Sequence, residues 1–353
     1  MKIIDLRSDT VTLPTDEMRQ AIFRADLGDD VFSEDPTTNL LEQRTAAIMG
    51  KEAALLVASG TMGNLVCTLT HCRRGEEVIL GDKAHMFLNE AGGMSALGGI
   101  HPHVITNQDD GTMHLEDIEA AIRGDNVHFP RTRLICLENT HNRCYGAALT
   151  PAYMASVADL AKRHNLALHL DGARIFNAAV LLKVDVREFT RHTDSVSFCL
   201  SKGLSAPIGS IVCGSKKFIS EARRTRKVLG GGMRQSGIIA AAGMIAVEKM
   251  VGRLAEDHAN ARILAQGIGQ IPGLSLKLAN IHTNIVYFDL VHEKIAADDL
   301  VRQSGNQGLK FLRTDAKRFR MLTHYGIEKN DITAALDILK AVTARLSDNV
   351  NRP

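Results

Sequence analysis

Asp194-Ser-Val-Ser-Phe-Cys-Leu-Ser-Lys-Gly-Leu-Ser-Ala-Pro-Ile-Gly-Ser210 opens as a short apolar strand and ends in a polar, glycine-bearing turn that presents Lys202. One strand earlier, Leu166-Ala-Leu-His-Leu-Asp-Gly-Ala-Arg174 does the same with Asp171. A Ser-Lys-Gly turn is common in solvated loops, and Asp-Gly after a strand is a common turn. The pair is more informative than either member. The two lie about one strand-helix-strand step apart in an α/β chain, and open α/β sheets bind ligands at the carboxyl ends of their strands. A lysine and an aspartate so placed suit pyridoxal phosphate (PLP). The amine forms a Schiff base with the aldehyde, and the carboxylate keeps the pyridine nitrogen protonated so that the ring is an electron sink.

Outward from this pair, strands and helices alternate. Ala53-Ala-Leu-Leu-Val57 reads as a strand running through Ser59, Gly60 and Thr61 into a helix, a design in which backbone N–H groups meet an anion at a helix N-terminus. Glu77–Leu80, Val104–Thr106, Arg133–Glu138 and Gly209–Cys213 read as further strands; Pro151–Asn165 and Ile175–Leu182 read as helices. His85 follows the Glu77 strand. The alternation predicts a mostly parallel, doubly wound sheet. The style changes at Gly230-Gly-Gly-Met-Arg-Gln-Ser236, after which two long helices precede smaller α+β elements. The expected division is a large domain over 1–245, including an N-terminal arm, and a small C-terminal domain over 246–353.

Composition sets outer bounds. The chain has 353 residues, 45% hydrophobic and 23% charged, with a formal net charge of +2. That is ample for a core and gives no electrostatic case for nucleic acid or an acidic membrane. The basic run Arg223-Arg-Thr-Arg-Lys227 has no interleaved aromatics, so a small phosphate-bearing ligand or a helix face suits it better. The six cysteines form no Cys-x-x-Cys pair and are expected as buried thiols in a reducing compartment. No His/Asp/Glu/Cys group has metal-ligand spacing in sequence, which disfavours a metal enzyme. The N-terminus lacks an apolar signal core and no run reaches membrane-spanning length, so the expected location is the cytoplasm.

Several stretches occur together and in order: Asp5-Leu-Arg-Ser-Asp-Thr-Val-Thr12, Gly28-Asp-Asp-Val31, Leu137-Glu-Asn-Thr-His-Asn142, Leu170-Asp-Gly-Ala-Arg-Ile-Phe-Asn177, Leu200-Ser-Lys-Gly-Leu204 and Gly230-Gly-Gly-Met-Arg-Gln235. They resemble the low-specificity L-threonine aldolases, PLP enzymes of the aspartate-aminotransferase-like fold (fold type I), across nearly the whole chain. The resemblance implies cleavage of β-hydroxy-α-amino acids such as L-threonine or L-allo-threonine to glycine and an aldehyde. It also implies a homotetramer with active sites between paired subunits.

Roles follow by the same resemblance. Lys202 holds PLP and Asp171 pairs with the pyridine nitrogen. Ser59, Gly60 and Thr61 bind the phosphate, and Arg234 reaches it from a neighbouring subunit. His85 stacks on the ring. Ser8, Arg174 and Arg320 clamp the substrate carboxylate, although Arg174 also suits the cofactor's phenolic oxygen. The base for the β-hydroxyl proton is His85, His128 or a bridging water. Two departures stand out: Phe32 where the family often has tyrosine, and Arg143-Cys-Tyr-Gly-Ala-Ala148 after His141-Asn142. The rival readings are another PLP enzyme of this fold (a β-eliminating lyase or an aminotransferase) and a PLP-binding protein without turnover.

Overall fold

The computed structural model describes residues 2–351 and divides into two compact units, Met1–Thr12 with Gly252–Pro353, and Leu13–Val251. This differs from the expected 1–245 and 246–353. The N-terminal arm belongs with the C-terminal residues because β1 (Ile4–Asp5) pairs in parallel with the strand Leu309–Lys310, and Ile4 and Leu6 sink into that unit's core. The boundary moves past 245 because the helix Gly237–Ile245 continues through a π-helical turn, Ala246–Met250, that buries Ala246, Val247 and Met250.

The larger unit is built on one sheet. Its strands are β2 (Ala53–Val57), β3 (Glu77–Gly81), β4 (His101–Ile105), β5 (Thr132–Glu138), β6 (Ala167–Asp171), β7 (Ser195–Cys199) and β8 (Ser210–Gly214). Their order across the sheet is β2-β8-β7-β6-β5-β3-β4, and only β8 runs antiparallel to its neighbours. Helices cover the sheet, so β3, β7 and β8 are buried along their whole length. Such strands should read as continuous apolar runs. β6 and β7 instead alternate, with His169 and Asp171 flanking Leu170, and Ser195 and Ser197 flanking Val196. Because strand side chains alternate faces, each polar pair shares one face.

Serine and threonine side chains cap the helices around the sheet. Thr15 caps Asp16–Phe23, Ser59 caps Gly60–His71, Thr150 caps Pro151–Arg163 and Ser215 caps Lys216–Val228, each accepting from a backbone N–H. With one strand reversed, the C-terminal ends of the other six, β2 to β7, all face one edge of the sheet.

The smaller unit carries β9 (Leu274–Ser275), β10 (Ile285–Leu290), β11 (Leu309–Lys310), β12 (Leu312–Arg313) and β13 (Arg318–Leu322). Four of these form an antiparallel sheet in the order β12-β13-β10-β9. The helices Leu254–Ile268 and Lys329–Asn351 contribute Leu264, Ile268, Ile332 and Leu339 to a core with Phe288, Phe311 and Phe319. β9 is short, ending at Ser275 before a 3-10 turn at Leu278–Asn280. All six cysteines are buried thiols. Among the described residues no helix is long and apolar enough to cross a membrane.

Candidate active site

Asp171 is the last residue of β6 and is 2% exposed. Its Oδ1 accepts the N–H of Ala173 at 3.0 Å and its Oδ2 accepts Asn64 Nδ2 at 2.8 Å. The turn after it needs glycine: a Cβ at Gly172 would lie 2.8 Å from the Ser197 carbonyl oxygen, which accepts the Gly172 N–H. Arg174 follows, buried, at the start of the helix Ile175–Leu182. On the neighbouring strand, β7 leads into a loop closed by Leu200 N–H donating to Gly209 at 3.0 Å and Ser205 N–H donating to the Lys202 carbonyl at 2.8 Å. Lys202 sits half-buried in that loop.

β2 delivers Ser59 to the N-terminus of the helix Gly60–His71, where its side chain accepts the Met62 N–H at 3.2 Å. A Cβ at Gly60 would lie 2.8 Å from Cys199 Sγ, so a larger residue there would push the helix off the end of β7. Ser59 is exposed and Thr61 half-buried, which leaves this positive helix end accessible.

β3 delivers His85. Its backbone N–H donates to Glu138 Oε2 at 2.7 Å, and the other oxygen of Glu138, at the end of β5, accepts the Asn142 N–H at 2.8 Å. One carboxylate thus fixes the His85 turn and the 139–142 loop together. His85 Nδ1 lies 2.8 Å from Glu90 Oε1, which also accepts Asn64 Nδ2 at 2.8 Å. The hydrogen bond that His85 donates to Glu90 raises the His85 pKa; burial and the Lys202 charge oppose it, and Asp171 adds to the rise. Burial raises the Glu90 carboxyl, against hydrogen bonds from His85 and Asn64. His85, Glu90 and Asp171 place ligand atoms within 4.8 Å of one another, a cluster that their sequence spacing does not announce.

Not every expected residue joins this group. His128 stands exposed on the loop before β5, its backbone N–H donating to Asn126 at 2.9 Å. Arg234 is exposed and pairs with Asp29 at 3.0 Å. Ser8 and Arg320 belong to the smaller unit, where Arg320 Nη2 lies 3.4 Å from the carbonyl of Arg7, the residue before Ser8.

The family described as Beta-eliminating lyase matches residues 5–291. A probable low-specificity L-threonine aldolase 2 of Arabidopsis thaliana is 47% identical over 347 residues, 97% of this chain and 98% of that protein. The low specificity L-threonine aldolase of Escherichia coli K12 is 42% identical over 343 residues, 97% of this chain and 100% of that protein. This chain belongs to the low-specificity L-threonine aldolase family. In fold it matches the solved structure of a Leishmania major threonine aldolase with a TM-score of 0.79 at 19% identity, over 96% of this chain and 98% of that one. The likeness carries the fold-type-I architecture of the larger unit.

Within this threonine aldolase, sequence reasoning missed Asn64, Glu90, Glu138 and His169. Glu90 sits in a turn with no pattern of its own, and Glu138, the last residue of β5, lies inside the quoted Leu137–Asn142 stretch but drew no role. Asn64, His169 and the serines of β7 did leave a signal, namely polar residues at the wrong places in buried elements. A further departure is His141: it is 1% exposed and neither ring nitrogen has a hydrogen-bond partner among the described residues, with Glu138 Oε2 3.9 Å from Nε2. Of the two sequence departures, Phe32 is exposed, and the 143–148 loop buries Cys144 and turns through Tyr145 and Gly146 at positive φ.

Proposed function

We propose that this aldolase cleaves the Cα–Cβ bond of L-threonine, L-allo-threonine and related β-hydroxy-α-amino acids, releasing glycine and an aldehyde, with pyridoxal 5'-phosphate as cofactor. The observation that carries the reading is the convergence of Lys202, Asp171 and the N-terminus of Gly60–His71 at one edge of the sheet. This donor set fits the cofactor: an amine for its aldehyde, a carboxylate for its pyridine nitrogen and unpaired backbone N–H groups for its phosphate. When bound there, PLP supplies the electron sink for the pair released by the breaking carbon–carbon bond.

The chain's own groups do the rest. Lys202 anchors the cofactor, and Asp171, held by Asn64 and Ala173, keeps its nitrogen side charged. Ser59, Gly60 and Thr61 cradle the phosphate. Glu90 fixes the His85 tautomer: with Nδ1–H donated to the carboxylate, Nε2 keeps its lone pair. His85 is therefore our choice for the group that takes the β-hydroxyl proton while its ring packs on the cofactor. His128 is the second candidate. Ser8 and Arg320 are our candidates for the substrate carboxylate, on the family motif alone, and buried Arg174 for an anionic oxygen of substrate or cofactor. Exposed Arg234 suits a phosphate contact across a subunit boundary, which goes with a homotetramer. A cytoplasmic location completes the reading.

Elimination is the second reading, and the family description favours it. Product analysis separates the two. The PLP-loaded protein is incubated with L-threonine and with L-allo-threonine, and acetaldehyde, glycine and 2-oxobutyrate are quantified. Equal acetaldehyde and glycine is the expected result. 2-Oxobutyrate in place of glycine would overturn carbon–carbon cleavage in favour of elimination.

A further inference from the structure

The helix Gly60–His71 lays a polar stripe on the sheet. Asn64, Thr68 and His71 share one face at helical spacing, and Asn64 and Thr68 are buried. Under the stripe lie His169 and Asp171 of β6 and Ser195 and Ser197 of β7. His71 Nε2 lies 2.8 Å from Ser195 Oγ, Ser195 Oγ 2.9 Å from His169 Nδ1, His169 Nε2 3.2 Å from Asn64 Oδ1, and Asn64 Nδ2 2.8 Å from Asp171 Oδ2. Ser197 Oγ also donates to Asn64 Oδ1, at 2.7 Å.

The chain of contacts has a direction, and Asn64 sets it. Its amide nitrogen must be the atom between the oxygens of Glu90 and Asp171, because an amide oxygen there would face two acceptors. Its oxygen therefore faces His169, so His169 must donate from Nε2. Nδ1 of a neutral imidazole is then an acceptor, and Ser195 must donate to it. With its one proton used, Ser195 accepts from His71 Nε2. Both rings are neutral: burial lowers the His71 pKa to about 4 against the pull of Asp194. Burial and then His71 lower the His169 pKa to about 3, against Asp171 and the Ser195 backbone.

We propose that His71, Ser195, His169 and Asn64 form a one-way hydrogen-bond relay, every donor pointing toward Asp171, that positions the Asp171 carboxylate and strengthens its hold on the cofactor's pyridine nitrogen. Aligned donors polarise one another, so each link adds to the positive potential at the last N–H. These are positioning residues, since only Asp171 meets the cofactor, and the inference rests on that reading of Asp171. The far end is His71, which stacks on Phe218 at 4.5 Å and walls a cavity of about 400 Å³ at the N-terminal ends of β6 and β7.

The test is a ladder of variants in the PLP-loaded enzyme: H71F, S195A, H169L, H169Q and D171N. Each is read by kcat, KM and the visible absorption band of the bound cofactor. H169L removes the donor to Asn64 and should lower kcat about tenfold, the effect of one hydrogen bond of about 1.4 kcal/mol, with KM unchanged and the cofactor band shifted. H169Q keeps a donor at the Nε2 position and should restore both readouts. S195A should do less than H169L, and H71F, which keeps the ring stack, less again. H71F and S195A also carry the test should H169L fail to fold. Wild-type kcat and spectrum in H169L, H71F or S195A beside a crippled D171N would overturn the relay and leave the Asp171 assignment standing. Losses that do not decline from His169 to His71 would overturn its direction. Wild-type behaviour in D171N would overturn the Asp171 assignment and the relay with it.

Discussion

Arg226→Met should unseat the support beneath the turn Ser59-Gly60-Thr61, and the geometry sets the size of the effect. Arg226 and Asp30 are 2% and 1% exposed and form an ion pair, and Arg226 Nη1 also donates to the Leu56 carbonyl at 2.7 Å. Leu56 lies in β2, three residues before Ser59. Removing one partner of a buried pair costs about 3–5 kcal/mol, because the other charge is stranded away from water. Here the loss should fall at the low end: Arg223 Nη1 stays 3.4 Å from Asp30 and still offers it a cation. At about 3 kcal/mol, and with about 2–4 °C per kcal/mol for a unit of this size, the Tm should drop by about 6–12 °C. Calorimetry at fixed protein and cofactor concentration is the assay, since bound ligand shifts Tm by mass action. The double variant Asp30→Leu with Arg226→Met replaces both charges by apolar volume and should be more stable than Arg226→Met alone. A single variant within about 1 kcal/mol of wild type, or a double variant less stable than the single, would refute the reasoning that stranded charge is the dominant cost.

Three other outcomes follow from the structure. Lys202→Ala should lose both turnover and the visible band of the anchored cofactor, measured by spectroscopy and by aldehyde release; normal activity would sink the central assignment. Glu90→Gln removes the bond that raises the His85 pKa, so the acid limb of the kcat/KM profile should move to lower pH; a limb that stays put would take the base role away from His85. The same pairing stabilises the fold at acid pH, a contribution that is lost as pH rises through the raised His85 value. Asp35→Ala strands the backbone N–H groups of Thr38, Gly28 and Gly237, which Asp35 accepts at 2.8, 3.2 and 2.9 Å, and should cost about 2–4 kcal/mol at neutral pH. Burial raises the Asp35 carboxyl, but those N–H donors outweigh it and hold the pKa below the ordinary range. The wild-type advantage should therefore be full above that range and fade as pH falls through the depressed value; unfolding midpoints of both proteins across pH check it.

Lys202 and Asp171 were legible because each closes an apolar run with a turn, and a run-then-turn pattern is local. The order of strands, the single reversed strand and the sharing of one edge by six strand ends were legible only as a class, since pairing joins residues far apart in sequence. The Gly28-Asp-Asp-Val31 stretch shows where motif reading stops. A Cβ at Gly28 would meet the Glu34 carbonyl oxygen at 2.2 Å, Asp29 pairs with Arg234, and Asp30 is buried against Arg226. Its residues hold the loop, and through Arg226 they hold β2. The basic run 223–227 turns out the same way, as a helix face with Arg223 on Glu42 and Arg226 on Asp30. The domain boundary failed for a related reason: nothing local in Ile4-Asp-Leu6 says which strand it will pair with.

Asn64 and His169 were missed for a different reason, and it yields a usable rule. A polar side chain inside a fully covered strand or on the buried face of a crossover helix loses water and must recover its hydrogen bonds from the protein. Such a residue on its own is a liability, but several at period two in adjacent strands and at period three to four in the covering helix can satisfy one another. Ser195, Ser197, His169 and Asp171 beneath Asn64 and His71 meet that condition. A closed set would end where its last polar group is satisfied. This one ends at Asp171, the last residue of β6, at the sheet edge that β7 and β2 also leave toward Lys202 and the helix N-terminus. The alternation in β6 and β7 thus points along the strands to the site, and it does so without the lysine.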